Sequence, residues 1–264
     1  MTLPILTLIK IGGNIIDNSE ALTRFLYDFH AIEGPKILVH GGGKIASELS
    51  KKMGVTPTLI DGRRVTDAET LKIVTMVYGG LINKQITAQL QSLGTNAIGL
   101  TGADGNIILA HKRIHPSIDY GFVGDIDQVD GNQIAQFIQV GLTPVFAPLT
   151  HDKHGLMLNT NADSIASETA IALSRYFKVQ FFYCFEKKGL LKDIEDESSC
   201  IPHIQAKDVN KLKEDGIISA GMIPKVDNIV RALNQGVFEV RLCHAADISR
   251  IISKQLSLGT LFTK

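Results

Sequence analysis

Twice within the first 44 residues a short apolar run ends in glycine: LPILTLIKIGG at 3–13 and KILVHGGGK at 36–44. A continuous apolar run of this length bounded by glycine reads as a buried strand. Between the two lies an amphipathic stretch, SEALTRFLYDFH at 19–30, with Ser19 as the expected N-cap. A further helix is expected from about Ile45 to Met53. Strand, helix, strand, glycine turn, helix is the opening of a three-layer α/β fold with a parallel sheet.

The rest of the chain continues the alternation. The pattern predicts helix over 67–93, interrupted at Gly79-Gly80, a strand at 96–102, a hairpin over 107–127, helix at 131–140 and a strand at 143–148. Helix over 162–177 and a strand at 179–185 follow, then two helices over KDVNKLKEDG and PKVDNIVRALNQG. A strand at 237–244, a helix at 247–253 and a short edge strand in the closing SLGTLFTK complete the expectation. Nothing marks a linker or a repeat. A functional division would fall inside one continuous sheet near 175–180, giving lobes of residues 1–177 and 178–264.

Composition narrows the function classes. Lys+Arg and Asp+Glu each number 27, so no global field recruits nucleic acid or an anionic membrane. No run of about 18 apolar residues occurs, and the apolar N-terminal run is too short for a signal peptide; a soluble cytoplasmic protein is expected. The three cysteines, Cys184, Cys200 and Cys243, form no CxxC pair, so neither a disulfide framework nor a zinc site is expected. His111, His115, His151, His154 and His203 are read in loops without HExxH spacing, and no metal site is expected. No GxSxG nucleophile motif is present.

Five stretches carry candidate chemistry. Gly41, Gly42 and Gly43 follow a strand and open a helix, a turn suited to an anion or to nothing more than a tight connection. Lys44 is followed by Ile45, not the Ser/Thr of a P-loop. Ala46 gives only a loose GxGxxG match, and Asp61, about 20 residues on, keeps a dinucleotide reading open. Lys10 sits one residue from the end of a buried strand, where it either snorkels or points into the ligand crevice of an α/β sheet. Arg63-Arg64 are a carboxylate clamp or a solvated pair. Asn159, Asn161 and Asp163 exceed what one helix cap needs. In GMIPKV (221–226), Lys225 opposes the dipole at an expected helix start, which a nearby anion would explain. The loop EKKGLLKD (186–193) is a nucleotide contact or a solvated loop. His40 is read as supporting the glycine turn.

Together KIGGN (10–14), VHGGGK (39–44), GRRVTD (62–67), LNTNADSIA (158–166) and SAGMIPKV (219–226) resemble the amino-acid kinase family, in its order and spacing and nearly end to end. The resemblance is strongest to its members that phosphorylate the side-chain carboxylate of N-acetyl-L-glutamate in arginine biosynthesis. It implies a three-layer αβα sandwich with a central, largely parallel sheet, acyl-glutamate in the N-terminal lobe and ATP with its Mg²⁺ in the C-terminal lobe. By the family pattern, Lys10 and Lys225 stabilise the phosphoryl group in flight and Asp163 organises both. Gly42, Gly43, Arg64 and Asn159 match the acyl-glutamate site. Gly12, Gly13, Glu186, Gly189, Leu191, Ile217, Gly221 and Met222 match the nucleotide site, with no metal ligand among the side chains.

That chemistry is coherent, because a side-chain carboxylate of pKa about 4.3 is already an anion at neutral pH and needs no general base. One departure is Phe185-Glu186, where the family carries a Ser/Thr-Asp pair. Lys10 lies so near the start that no room is read for the N-terminal helix linking dimers into hexamers in arginine-inhibited relatives. The expectation is therefore a homodimer insensitive to arginine, with a small-molecule partner and neither nucleic acid nor membrane. The alternatives are a kinase for another acyl-glutamate such as the N-succinyl compound, another kinase of the family (carbamate, glutamate 5-, aspartate or uridylate), and a non-catalytic sensor of this fold. A dinucleotide oxidoreductase would leave both lysines unexplained.

Overall fold

The computed structural model describes residues 2–60, 63–193, 195–218, 222–253 and 258–264. In chain order the elements are β1 (Ile5–Ile11), α1 (Gly13–Ile16), α2 (Ser19–His30), β2 (Lys36–His40), α3 (Gly43–Lys52), β3 (Leu59–Ile60) and β4 (Arg63–Arg64). Next come α4 (Ala68–Val74), a π-helical stretch (Thr75–Ile82), α5 (Asn83–Ser92), β5 (Ala97–Leu100), β6 (Ile108–Lys112), β7 (Gly124–Val129), α6 (Gly131–Gln139) and β8 (Thr143–Phe146). The chain continues through β9 (Leu149–His151), β10 (Met157–Asn159), α7 (Ala162–Leu173), β11 (Lys178–Phe185), β12 (His203–Gln205), α8 (Val209–Glu214), α9 (Ile223–Asn234), β13 (Glu239–His244), α10 (Ile248–Ile252) and β14 (Thr260–Thr263).

The central sheet runs β12-β14-β13-β11-β1-β2-β8-β5. Every neighbouring pair is parallel except β13 and β14. Strand alternation divides β1 between two cores: Leu6 and Leu8 join the cluster under α7 and α9, while Ile9 and Ile11 join the cluster under α2 and α5. These side chains are fully buried, each contributing roughly 1.5–3 kcal/mol by leaving water. The same period puts Lys10 on the face of Leu6 and Leu8, towards α7, at the carboxyl end of the strand. A smaller sheet, β10-β9-β6-β7, and the β3-β4 hairpin stand beside the main sheet.

Several expectations need correction. Helix α2 has the expected span, but Asn18 caps it, accepting from the amides of Glu20 and Ala21. Gly79-Gly80 do not interrupt the helical run; they lie within the π-helical stretch. Buried Val77, Tyr78 and Ile82 hold that stretch in place, overriding the weak helix propensity of glycine. Strand β14 is not an edge strand, because β12 pairs with it on its outer side. At three residues, β12, β9 and β10 are too short to show periodicity. His111, His151 and His203 stand on strands rather than in loops. Helix α7 stops at Leu173, short of the expected 177.

Candidate active site

Lys10 and Lys225 converge on one carboxylate. Lys10 Nζ lies 2.7 Å from Asp163 Oδ1, and Lys225 Nζ lies 2.8 Å from Asp163 Oδ2. Each residue is delivered by a different element. Lys10 ends β1; Asp163 sits in the first turn of α7, capped by Asn161, whose side chain accepts from the amides of Asp163 and Ser164. Lys225 stands in the first turn of α9, beside Pro224. A carboxylate is favoured at a helix N-terminus. The anion that explains Lys225 at a helix start is thus part of the protein. The lysine also lies 4.9 Å above the ring of Tyr183, an additional cation–π attraction. Burial pushes the Asp163 carboxyl up, but Lys10 and Lys225 outweigh it and hold the group well below the usual carboxylate range. Burial lowers the Lys225 ammonium, with Asp163 opposing the shift. The trio keeps one net positive charge in a partly dry setting, poised for an incoming anion.

The glycine turn faces the same cleft, of about 250 Å³. Gly42 has φ +143°, and a Cβ there would come within 2.3 Å of Ile82, so the close approach of the turn to the π-helical stretch requires glycine. Gly42 caps α3 without a side chain, leaving the first amides of that helix free for a ligand. His40, fully buried, fixes the turn from below: its Nδ1–H donates to Gly41 O at 2.8 Å, and Asn83 Nδ2 donates to its Nε2 at 3.1 Å. Burial lowers its pKa to about 4, so it is a neutral strut. Arg64 is buried, and its Nη2 donates to Gly43 O at 2.8 Å and Ser47 Oγ at 2.6 Å. Its Nη1 is buried without a partner, a donor free for a carboxylate. Asn159 Nδ2 donates to Thr66 Oγ1 at 2.9 Å, and Asn159 lines the cleft with Gly42, Gly43, Arg64, Lys10 and Asp163.

The residues matched to the nucleotide do not gather so closely. Gly12, Gly13 and Glu186 line a second cleft of about 510 Å³, together with Arg24, Phe25, Asp28 and His244. Gly189 packs against Cys200 and Thr260 with no room for a Cβ, and the Leu191 side chain is buried. Ile217 is half-buried, and Met222 is the N-cap residue of α9. Gly221, like Asp61, lies outside the described residues. Sequence reasoning missed Tyr78, Arg113 and Val123, which line the first cleft. Arg113 follows a strand in a loop and carries no motif, so no signal marked it. Tyr78, beside Gly79-Gly80, had one: two glycines inside an apolar helix mark an irregular turn.

The chain is 56% identical over 256 residues to the acetylglutamate kinase of Cytophaga hutchinsonii, covering 97% of each. It is 53% identical to that of Parabacteroides distasonis, over 92% of this chain and 95% of the relative. In fold it is similar to the carbamate kinase of Giardia lamblia bound to AMP-PNP, with a TM-score of 0.71, 13% identity and full coverage of both chains. The model of the amino acid kinase family matches residues 6–244. With the glycine turns and the paired lysines inside that match, the chain belongs to the amino acid kinase family.

Proposed function

We infer that this chain is an enzyme that transfers the γ-phosphoryl group of ATP to the side-chain carboxylate of N-acetyl-L-glutamate, a step of arginine biosynthesis. The observation that carries the reading is the Lys10–Asp163–Lys225 cluster, whose Lys10 and Asp163 line the cleft that holds Arg64 and the glycine turn. A carboxylate oxygen forms the new bond to the γ-phosphorus as the bond from that phosphorus to the bridging oxygen of ADP breaks. The products are an acyl phosphate and ADP, and no proton moves. The barrier is repulsion between two anions, and preorganised cations lower it. Lys10 and Lys225 face the transferring group, Asp163 fixes both ammoniums, and the amides at Gly42 and Gly43 receive the reacting end. Arg64 Nη1 takes the α-carboxylate, with Asn159 beside it.

The nucleotide belongs with the second half of the chain, residues 178–264, against Gly12, Gly13, Glu186, Gly189, Leu191, Ile217, Gly221 and Met222. Residues 1–177 hold the acceptor. Mg²⁺ would come on the nucleotide phosphates and neutralise charge between them. Asp163 is ion-paired with two lysines, and no cluster of three metal-ligating side chains occurs among the described residues. A homodimer is supported by β5, which leaves the sheet edge open, and by Met76 and Leu81, exposed on the neighbouring helical run. Insensitivity to arginine goes with that dimer. A reducing cytoplasm suits three free thiols, and among the described residues no helix is long and apolar enough to cross a membrane. The test is acyl phosphate trapped with hydroxylamine, using ATP and N-acetyl-L-glutamate, carbamate, L-glutamate, L-aspartate or UMP. N-acetyl-L-glutamate should give the hydroxamate; ADP release with another acceptor alone would overturn the reading.

A further inference from the structure

The glycine turn is held from beneath by a chain of hydrogen bonds that leads away from the cleft to Asn83. That residue is buried and opens α5, directly after the π-helical stretch. A π-turn carries one residue more than an α-turn; at its end Ile82 comes up against Gly42 and Asn83 meets His40. The Asn83 amide nitrogen donates twice, to Val145 O on β8 at 2.9 Å and to His40 Nε2 at 3.1 Å. A carbonyl only accepts, so Val145 fixes which end of the side-chain amide faces His40. Asn83 Oδ1 is buried without a partner, beside Gly99, where a Cβ would come within 2.1 Å of it. The side chain is therefore placed for its two donors and not for its oxygen.

The direction of those donors decides the state of His40. Gly41 O, 2.8 Å from Nδ1, needs a proton there, and Asn83 needs a lone pair on Nε2. One neutral tautomer meets both demands, with its proton on Nδ1. Burial, which lowers His40 to about 4, keeps the ring neutral at pH 7. Gly41 O and the Gly42 N–H belong to one peptide plane, and in a trans peptide they point opposite ways. With the carbonyl drawn down onto His40, the amide turns up towards the cleft that Gly42 lines. The flanking groups are fixed as well: Gly41 N–H donates to Ile11 O at 3.2 Å, and Gly42 O accepts from the Ala46 amide at 3.1 Å. We propose that Asn83 is a positioning residue for phosphoryl transfer: its donation to Nε2 holds the His40 proton on Nδ1, which pins Gly41 O and aims the Gly42 N–H at the transferring group. This rests on the reading of the chain as a kinase and adds to it a residue outside the cleft.

The first test needs no variant of Asn83. In the full chain labelled with ¹⁵N-histidine, with the His40 signals assigned by their loss in His40→Gln, His40 at pH 7 should be neutral with its proton on Nδ1. A proton on Nε2 overturns the proposal. The second test is kinetic. Asn83→Leu should lower kcat about 10- to 100-fold, part of what losing an oxyanion donor outright costs. KM for N-acetyl-L-glutamate should stay within about threefold, because the contact is made in the transition state, and the Nε2–H tautomer should appear in the spectrum. An unchanged kcat overturns the proposal. The third test asks whether Asn83 acts through His40. His40→Asn keeps an amide donor in the place of Nδ1 and has nothing at Nε2. In that background Asn83→Leu should change kcat by less than about twofold, the non-additivity of residues acting in series; a second full loss overturns the proposal. Absence of acyl phosphate from the unaltered chain would overturn the kinase reading instead, and the tautomer, read without substrate, tells the two failures apart.

Discussion

Two clefts flank the carboxyl end of β1, and they are built differently. In the first, charge is buried and cross-linked: Asp163 ties Lys10 of β1 to Lys225 of α9, and Arg64 is pinned to α3. In the second, about twice as large, no ion pair within 4 Å among the described residues involves Arg24, Asp28, Glu186 or His244. The loop beyond it holds an exposed pair, Lys188 with Glu197, at 3.1 Å, of the kind worth little to stability. The contrast teaches where the chemistry is preorganised. The first cleft is set before substrate arrives, so single changes there should be costly. The second should tolerate changes to its side chains.

The largest expected break is Asp163→Ala. It leaves two ammoniums facing each other, so kcat should fall by at least about 10³. Stability should drop by roughly 2–4 kcal/mol in urea titration, less than for a fully buried pair because about a fifth of the carboxylate surface is exposed. Next is His40 under the glycine turn. Its folded pKa of about 4 lies below the unfolded value of 6.5, so its contribution is complete above pH 6.5 and is lost as pH falls towards 4. The loss should approach roughly 3 kcal/mol, seen as a falling urea midpoint between pH 7 and 4.5 that His40→Gln flattens. Arg64→Ala should raise KM for the acyl-glutamate about 10- to 50-fold with a smaller change in kcat, as expected for a charge-assisted bond made in ground and transition states alike. Glu186→Gln should change KM for ATP by less than about threefold, the scale of a surface charge. A tenfold change there would dissolve the contrast between the clefts.

How much of this was legible depended on the kind of signal. The sheet order was not, but its class was: KILVH and VQFFYCF are short apolar runs, and both are strands in a parallel sheet. Lys10 was marked by the misfit of an ammonium in a buried strand, and its place at the carboxyl end of that strand aimed it at the ligand crevice. Lys225 was marked by its conflict with a helix dipole, and the family resemblance put Asp163 beside it. What stayed hidden was tertiary. The π-helical turn that brings Tyr78 and Ile82 to Gly42 arises from packing, and the strands β9, β10 and β12 are stabilised by neighbours rather than by pattern. Arg113 enters the cleft through the loop at 113–123, which approaches β4 so closely that Gly121, at φ +70°, would place a Cβ 2.1 Å from Thr66 O. No spacing rule encodes that approach.

The central claim is that preorganised cations, without acid–base relay, perform the transfer. Lys10→Ala tests it most directly, because the Lys225–Asp163 pair remains to hold α7 against α9. The measurement is kcat at saturating ATP and N-acetyl-L-glutamate, followed as hydroxylamine-trapped acyl phosphate, beside the thermal midpoint of the same sample. A fall of about 10²–10³ in kcat, with the midpoint kept within a few degrees, is the predicted result. A Lys10→Ala enzyme that turns over at the normal rate would contradict it.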